Sequence, residues 1–238
     1  MKRVVNFYAG PAALPLPVLE KAQNELISYA DSGMSVMELS HRSDEFEAIL
    51  ERADRTFRRV MTIPDNYEII FVGGGASLQF SMVPMNLAVA GKPIDVIHTG
   101  TWTKKALAEI KKVAEPRIAG TGEASKFMRL PKKEEISFDP QASFAYLCSN
   151  NTIEGTQWHA YPDTGAVPLV ADMTSDIMSQ PVDVSKFGLI FAGAQKNLGP
   201  AGVTAVIIRK DLVERAPEKL ATMPVSYTHL TLPTNREV

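Results

Sequence analysis

A single lysine stands among small and apolar residues in the stretch 191–202, which reads FAGAQKNLGPAG. Lysine is rarely buried unless it is paired or chemically used, so Lys196 is a candidate for an amine that reacts. An acid, Asp172, ends an apolar run 24 residues earlier, in LVADMTSD. Taken alone, each residue has an ordinary explanation, because a loop lysine often reaches solvent and an aspartate after a strand often begins a turn. Together they could supply a nucleophilic amine and a fixed negative charge.

Three further stretches could complete a binding site for a flat, charged ligand. In VGGGASLQF a glycine turn leads into a helix, so the backbone N–H groups of Ala76 and Ser77 could hold an anion. This stretch has neither the GK[ST] ending of a Walker loop nor the GxGxxG pattern, and it could be only a flexible turn. Trp102, in HTGTWTKK, offers an aromatic face, although a tryptophan taken alone is more often a core residue. Thr152 adds a hydroxyl in the loop NNTIEGT.

The elements that must position these residues alternate along the chain. Helical spacing of apolar residues covers 17–30 and 43–60, and Ser43 is the predicted N-cap of the second helix. Apolar runs then predict the strands YEIIFVGGG, IDVIHTG, FAYLCSNN, VPLVADMTSD, FGLIFAGAQK and GVTAVIIRK, and the helices ASLQFSMVPMNLAV and TWTKKALAEIKKV. Continuous apolar strands are typical of sheets that are covered by helices on both faces. The order predicts an α/β three-layer domain with a largely parallel sheet, and 123–141 reads as a surface excursion.

In such sheets a ligand binds beyond the carboxyl ends of the strands. That rule brings to one edge the segments 73–77, 99–103, 149–156, 172–176 and 194–197. Pyridoxal 5'-phosphate needs a lysine for its aldehyde, a carboxylate at its ring nitrogen, a flat side chain against its ring and an anion cradle for its phosphate. These segments contain all four kinds of group. The sequence therefore predicts a pyridoxal 5'-phosphate site and no metal site.

The composition restricts the other possibilities. Of the 238 residues, 45% are hydrophobic and 22% are charged, which are ordinary values for a globular domain. The net charge of −2 gives no electrostatic argument for nucleic acid, and no apolar run reaches the ~20 residues of a membrane span. The one cysteine, Cys148, excludes an internal disulfide and fits a reducing compartment. Because Gly10, Pro11 and Pro15 interrupt the apolar N-terminal stretch, we expect no signal peptide and a cytoplasmic protein.

Seven blocks of the sequence resemble the phosphoserine aminotransferase family, which has the aspartate-aminotransferase-like fold (fold type I, class V). The blocks are NFYAGPAALP, SVMELSHRS, FVGGGASLQF, TGTWTKKA, NNTIEGTQW, VADMTSD and GAQKNLGPAG, and they lie in the family's order between about residue 6 and about residue 224. The resemblance implies a large domain with a mostly parallel seven-stranded sheet, and a homodimer that binds pyridoxal 5'-phosphate.

The resemblance also implies a role for individual residues. Lys196 would form the Schiff base and carry the proton, and Asp172 would pair with the ring nitrogen. The other implied contacts are Trp102 against the ring, Thr152 on the ring hydroxyl, Ala76, Ser77 and Gln195 on the cofactor phosphate, and His41 and Arg42 on substrate anions. A planar guanidinium such as that of Arg42 suits a carboxylate or phosphate. From the residues alone, an ion pair with Asp44 at a helix entry would explain this His-Arg pair as well.

The reaction that the resemblance implies transfers the amino group of L-glutamate to 3-phosphohydroxypyruvate, giving O-phospho-L-serine and 2-oxoglutarate for serine biosynthesis. The family also serves pyridoxine biosynthesis through 4-phosphohydroxythreonine. Two alternatives stay open at this point. One is another fold-type-I enzyme, such as an alanine–glyoxylate aminotransferase or a cysteine desulfurase, although Cys148 inside a strand argues against a desulfurase nucleophile. The other is a pyridoxal phosphate-binding module without turnover.

The resemblance ends before the chain does. Family members continue into a small C-terminal domain, with an arginine for the substrate carboxylate, a His-Arg pair for the substrate phosphate and an Asn-Thr pair that closes the neighbouring subunit's phosphate site. Residues 226–238, SYTHLTLPTNREV, do not resemble that continuation and read as a translated cloning or adapter sequence. We therefore expect an N-terminal arm over 1–16, a cofactor-binding large domain over 17–225 and a non-native tail over 226–238, catalytically incomplete as it stands.

Overall fold

A seven-stranded sheet organises residues 3–215, the part of the chain that the computed structural model describes. In chain order the strands are β1 (Tyr67–Gly73), β2 (Ile94–His98), β3 (Pro116–Thr121), β4 (Ala145–Cys148), β5 (Asn150–Asn151), β6 (Thr156–Gln157), β7 (Leu169–Asp172), β8 (Leu189–Gly193) and β9 (Val203–Arg209). β5 and β6 form a separate antiparallel hairpin, and the other strands lie side by side in the order β1-β9-β8-β7-β4-β2-β3. The last part of the predicted large domain and the predicted tail lie outside the described residues.

Strand direction places the carboxyl ends of most strands at one edge of this sheet. β3, β2, β4, β7 and β8 pair in parallel, and β9 runs antiparallel to both β8 and β1. The prediction of a mostly parallel seven-stranded sheet is confirmed. β3 is the strand that the apolar pattern did not indicate. Its sequence PRIAGT begins with proline and contains glycine, and both residues disfavour strands. These residues are tolerated because β3 lies at the edge of the sheet, where β2 is its only neighbouring strand among those described.

The two faces of the sheet are covered differently. The described helices are α1 (Leu16–Glu25), α2 (Asp44–Met61), α3 (Gln79–Leu87), α4 (Thr101–Ile110) and α5 (Lys210–Val213). On one face α3, α4 and α5 pack through buried residues such as Phe80, Ile110 and Leu212. On the other face α2 is the only one of these five helices that contributes, through Phe57 and Met61, and loops of the described part supply further cover. The prediction of helices on both faces is therefore correct for one face and only partly correct for the other.

The predicted N-terminal helices agree with the structure to different degrees. Ser43 caps α2, because its Oγ accepts a hydrogen bond from the N–H of Phe46 over 3.3 Å. The helix predicted over 17–30 is shorter, ending at Glu25, and a 3₁₀ turn follows at Tyr29–Asp31. Ala30 and Asp31 there have φ values of +46° and +61°, which a continuing α-helix does not allow. α1 buries none of its residues, so tertiary packing does not extend it.

The predicted surface excursion, 123–141, crosses the second face of the sheet. It contains short 3₁₀ turns at Glu123–Ser125 and Lys133–Glu135, and an ion pair joins Arg129 to Glu135. Its apolar side chains Leu130, Ile136 and Phe138 pack on the core, so the segment contributes to the cover of the sheet. Within the described range 3–215, no helix is long and apolar enough to cross a membrane.

Candidate active site

The carboxyl edge of the sheet holds a cavity of about 140 Å³. Each of the segments that the strand-end rule selected contributes to its wall. The lining residues are Gly75, Ala76, Ser77, Phe80, Trp102, Cys148, Asn150, Asp172, Thr174, Ser175, Gln195 and Lys196. The predicted convergence of these separate segments is therefore what the fold produces.

Lys196, Trp102 and Thr152 meet at the mouth of the cavity. The Lys196 Nζ and the Trp102 Nε1 both donate to the Thr152 Oγ1, over 3.2 and 3.1 Å. The same ammonium nitrogen lies 5.4 Å from the centre of the Trp102 ring. Lys196 is only half-buried, although most of its neighbours in the sequence are small or apolar. Its ammonium group faces the open cavity, so the small residues before it shape the wall and leave the amine accessible.

Asp172 supplies a buried negative group at the end of β7. Its side chain is 5% exposed, and its Oδ1 accepts hydrogen bonds from the Thr174 N–H (3.0 Å) and hydroxyl (2.6 Å). The Thr174 Oγ1 in turn accepts the N–H of Gly193, which ties the acid to β8. Burial raises the pKa of Asp172, and the bonds from Thr174 and the charge of Lys196 oppose this shift without cancelling it. The carboxylate makes no ion pair with a residue of the described part of the chain, so a cationic ligand group would be stabilised beside it.

A second set of residues could hold an anion. Ala76–Leu78 is a 3₁₀ turn that leads into α3, so backbone N–H groups are concentrated there. Gly193 permits this turn and the Gln195 side chain to approach each other. A Cβ added to Gly193 would lie 2.6 Å from the Gln195 Oε1 and 3.2 Å from the backbone nitrogen of Ala76. Glycine is therefore needed at position 193 for this turn and Gln195 to form a cradle, that is, a pocket lined by Ala76, Ser77 and Gln195.

The structure does not bring His41 and Arg42 to the cavity. Both residues are exposed and precede α2, and neither side chain makes a hydrogen bond or ion pair to another residue within 3–215. The Arg42 N–H bonds to the Ser40 Oγ over 3.2 Å, which fixes the turn rather than the guanidinium. The alternative ion pair with Asp44 is also not formed.

The N-terminal arm was predicted as a segment but not as part of the site. The N–H of Ala12 donates to the Gln195 carbonyl over 2.7 Å, so the arm lies against the backbone beside the lysine. A Cβ on Gly10 would lie 3.2 Å from the Lys196 Cγ. The local signal is the block NFYAGPAALP, whose glycine and prolines suit a close chain approach but do not say which segment is approached.

Two more titratable groups near the site were not predicted to contribute. Asp176 is 6% exposed, and its two oxygens accept from the Ser149 hydroxyl (2.5 Å) and the Gln157 amide (3.1 Å). Burial raises the pKa of Asp176. Cys148 lines the cavity, and burial, with Asp172 second, raises the pKa of its thiol well above the usual range. This thiol is therefore a poor nucleophile, as expected for a residue inside a strand.

Comparison with known proteins identifies the fold and the family. The class-V aminotransferase family matches residues 4–230. The phosphoserine aminotransferase of Geobacillus kaustophilus is 52% identical over 229 residues, which cover 96% of this chain and 63% of that protein. For the phosphoserine aminotransferase of Lysinibacillus sphaericus the identity is 51% over 228 residues, again 96% of this chain and 63% of the relative.

Solved structures agree with these matches. The phosphoserine aminotransferase from Bacillus circulans subsp. alkalophilus superposes with a TM-score of 0.90 at 49% identity, covering 94% of this chain and 62% of the other. The pyridoxal phosphate-bound phosphoserine aminotransferase of Trichomonas vaginalis superposes with a TM-score of 0.88 at 40% identity, covering 95% and 67%. The chain spans about 63% of the length of the curated relatives it matches. It belongs to the class-V aminotransferase family.

Proposed function

We propose that this chain forms the cofactor-binding part of a phosphoserine aminotransferase. The proposed reaction transfers the amino group of L-glutamate to 3-phosphohydroxypyruvate and yields O-phospho-L-serine and 2-oxoglutarate. The supporting observation is the arrangement of Lys196, Asp172 and Trp102 around one cavity, in a chain 52% identical to a phosphoserine aminotransferase. Neither a desulfurase nor an alanine–glyoxylate aminotransferase is favoured, since the only cysteine is a buried, protonated thiol and the close relatives carry a different name.

The residues present fit pyridoxal 5'-phosphate at both ends of the cavity. At the buried end, the Asp172 carboxylate lacks a cationic partner among the described residues, and a protonated ring nitrogen would provide one and lower the pKa of the acid. At the other end, Ala76, Ser77 and Gln195 would hold the phosphate in the cradle that Gly193 leaves open. Between these two ends, Lys196 would provide the amine for the aldehyde.

When bound, the cofactor supplies an electron sink for the bonds at the α-carbon of the amino acid. In this proposal Asp172 keeps the ring nitrogen protonated, and Trp102 covers one face of the ring. The Thr152 Oγ1, which already accepts from Lys196 and Trp102, would bond the ring hydroxyl. The Lys196 Nζ would hold the aldehyde end of the cofactor and would move the proton at the α-carbon of the substrate.

Substrate recognition requires more than the cavity. We include His41 and Arg42 in the proposal as contacts to substrate carboxylate or phosphate, and their distance from the cavity means that they would act at a site formed in a homodimer. Their side chains are exposed and have no partner within 3–215, which is compatible with that role. We also infer a cytoplasmic location and a second use of the reaction for 4-phosphohydroxythreonine, both from the resemblance alone.

The test joins the chain, after Val225, to the C-terminal third of the Geobacillus kaustophilus relative. We expect this protein to form 2-oxoglutarate from L-glutamate and 3-phosphohydroxypyruvate, with no turnover in a Lys196→Ala control. L-Alanine with glyoxylate should react poorly. A preference for that second pair, or activity that survives Lys196→Ala, would reject the proposed function.

A further inference from the structure

The N-terminus of α4, which carries Trp102, is held by a side chain from a distant loop. The Glu154 Oε1 accepts hydrogen bonds from the N–H and the hydroxyl of Thr101, over 2.7 and 2.8 Å. Thr101 is the first residue of α4 and directly precedes Trp102. A carboxylate at this place satisfies a helix N–H that has no partner within the helix, and its negative charge is favourable at the positive end of the helix dipole.

The residue before the helix is adapted to this carboxylate. Gly100 has a φ of +150°, and a Cβ placed on it would lie 2.3 Å from the Glu154 carboxyl carbon and 2.5 and 2.6 Å from its oxygens. Any other residue would displace the acid from the helix end. Gly100 has no side chain to cap α4 itself, so the cap comes from Glu154, 54 positions later in the chain.

The same contact connects the two residues proposed to touch the cofactor ring. Glu154 follows Thr152 by two positions in the turn between β5 and β6, and Thr101 is adjacent to Trp102. The direct bond between the Trp102 Nε1 and the Thr152 Oγ1 is solvent-exposed, so by itself it is a weak constraint. A buried hydrogen bond from the Thr99 Oγ1 to the Asn151 Oδ1 (2.9 Å) also joins the segment before α4 to the β5–β6 hairpin.

The burial of one oxygen of Glu154 also destabilises the cap that this residue forms. Its second oxygen, Oε2, is buried and has no hydrogen-bond partner in the described part of the chain. A buried polar atom without a partner is destabilising, and such atoms are uncommon in native structures. The local structure therefore keeps the Glu154 carboxylate at the start of α4 although one of its two oxygens has no partner in the described part of the chain.

We propose that Glu154 is a positioning residue, which fixes Trp102 against Thr152 at the mouth of the cavity. Its relevance to the cofactor ring rests on the proposed function, but the positioning of Trp102 does not. Glu154 touches neither the lysine nor the acid of the site, and it acts through Thr101 and the start of α4.

The test uses the apo form of the 238-residue chain and reads Trp102 directly. A Trp158→Phe background leaves Trp102 as the single tryptophan, and this change removes no side-chain hydrogen bond within 3–215 because the Trp158 Nε1 has no partner there. In this background Glu154→Ala should increase acrylamide quenching of Trp102, shift its emission to the red and lower its anisotropy. Glu154→Gln retains an oxygen acceptor for Thr101 and should restore most of the parent signal.

The matched control is Glu109→Ala, which removes a carboxylate from the other end of α4. Glu109 accepts from the Ser81 hydroxyl (3.0 Å) and from Lys112 (2.8 Å), so its loss weakens the same helix far from Trp102. We expect Glu109→Ala to leave the Trp102 signal unchanged. Equal changes in both alanine variants, or an unchanged signal in Glu154→Ala, would overturn the proposal.

A second measurement adds pyridoxal 5'-phosphate and follows the quenching of Trp102. If the parent chain binds, Glu154→Ala should weaken binding by about tenfold, and Glu154→Gln by less. Unchanged affinity in Glu154→Ala would overturn the inferred link to the cofactor. If the parent chain gives no binding signal, the result counts against the proposed function of the chain, and the positioning of Trp102 is decided by the apo measurement.

Discussion

Replacing Asp172 with asparagine should have two effects of opposite sign. The acid is 5% exposed and bonded only to Thr174 through one oxygen, so the folded chain without cofactor buries a carboxylate that lacks an ion-pair partner among the described residues. Burial accordingly raises the pKa of Asp172. Asparagine has the same size and keeps an Oδ1 acceptor for both Thr174 bonds, but it removes the charge. Asp172→Asn should therefore stabilise the cofactor-free protein and impair the chemistry.

The gain in stability can be given a size and a pH range. A single stabilising substitution commonly contributes about 0.5–2 kcal/mol, and each kcal/mol raises Tm by about 2–4 °C in a domain of this size. Because the folded-state pKa is raised from 3.8, the stability that protonated Asp172 provides is complete below the unfolded-state pKa and is lost as the pH rises through the folded-state pKa. The advantage of asparagine should thus be largest near neutral pH and disappear near about pH 4.

The assay compares thermal unfolding of the parent and Asp172→Asn across this pH range, followed by circular dichroism without cofactor. In the longer fused protein, the half-reaction with L-glutamate should slow about 100-fold, because an amide cannot keep the ring nitrogen protonated. Asp176→Asn is the matched control, since Asp176 is equally buried but does not line the cavity, and its half-reaction should stay near the parent rate. A lower Tm for Asp172→Asn at neutral pH would refute the stability argument. An unchanged half-reaction would show that another acid faces the ring nitrogen.

Three further predictions concern the same cavity. Borohydride reduction of the cofactor-loaded chain followed by peptide mapping should place the cofactor on Lys196, and a label on Lys104 instead would contradict the assignment. Gly193→Ala should weaken cofactor binding and destabilise the fold by about 1–3 kcal/mol, because its Cβ would press on Ala76 and Gln195, whereas Gly199→Ala has open space and should behave as the parent in both measurements. Expressed alone, the 238 residues should bind pyridoxal 5'-phosphate weakly and show no phosphoserine transamination in a coupled assay, and the fused protein should recover both; full activity of the shorter chain would show that its own residues hold the whole substrate.

The positions of Lys196, Asp172, Trp102 and Ser77 along the chain were enough to predict one site. Each follows or ends a short apolar run, and in a parallel sheet the carboxyl ends of such runs meet at one edge whatever the order of the strands. The position of each residue relative to its own apolar run is a local property, so it can be read from the sequence alone. The family resemblance then suggested a cofactor role for each residue, and these roles stay predictions that the experiments above address.

Other features depended on which segments meet in three dimensions. The cap that Glu154 provides for α4 needs the turn between β5 and β6 to lie over Gly100, and no sequence pattern near either residue predicts that contact. In the same way, Ala12 of the N-terminal arm bonds to Gln195, which is far from it in the sequence. The exposed Arg42, in contrast, does not line the cavity in the described part of the protein. Apolar periodicity records which face of an element is buried. It does not record the partner, because many distant segments could bury the same face, and only the packed tertiary structure selects one of them.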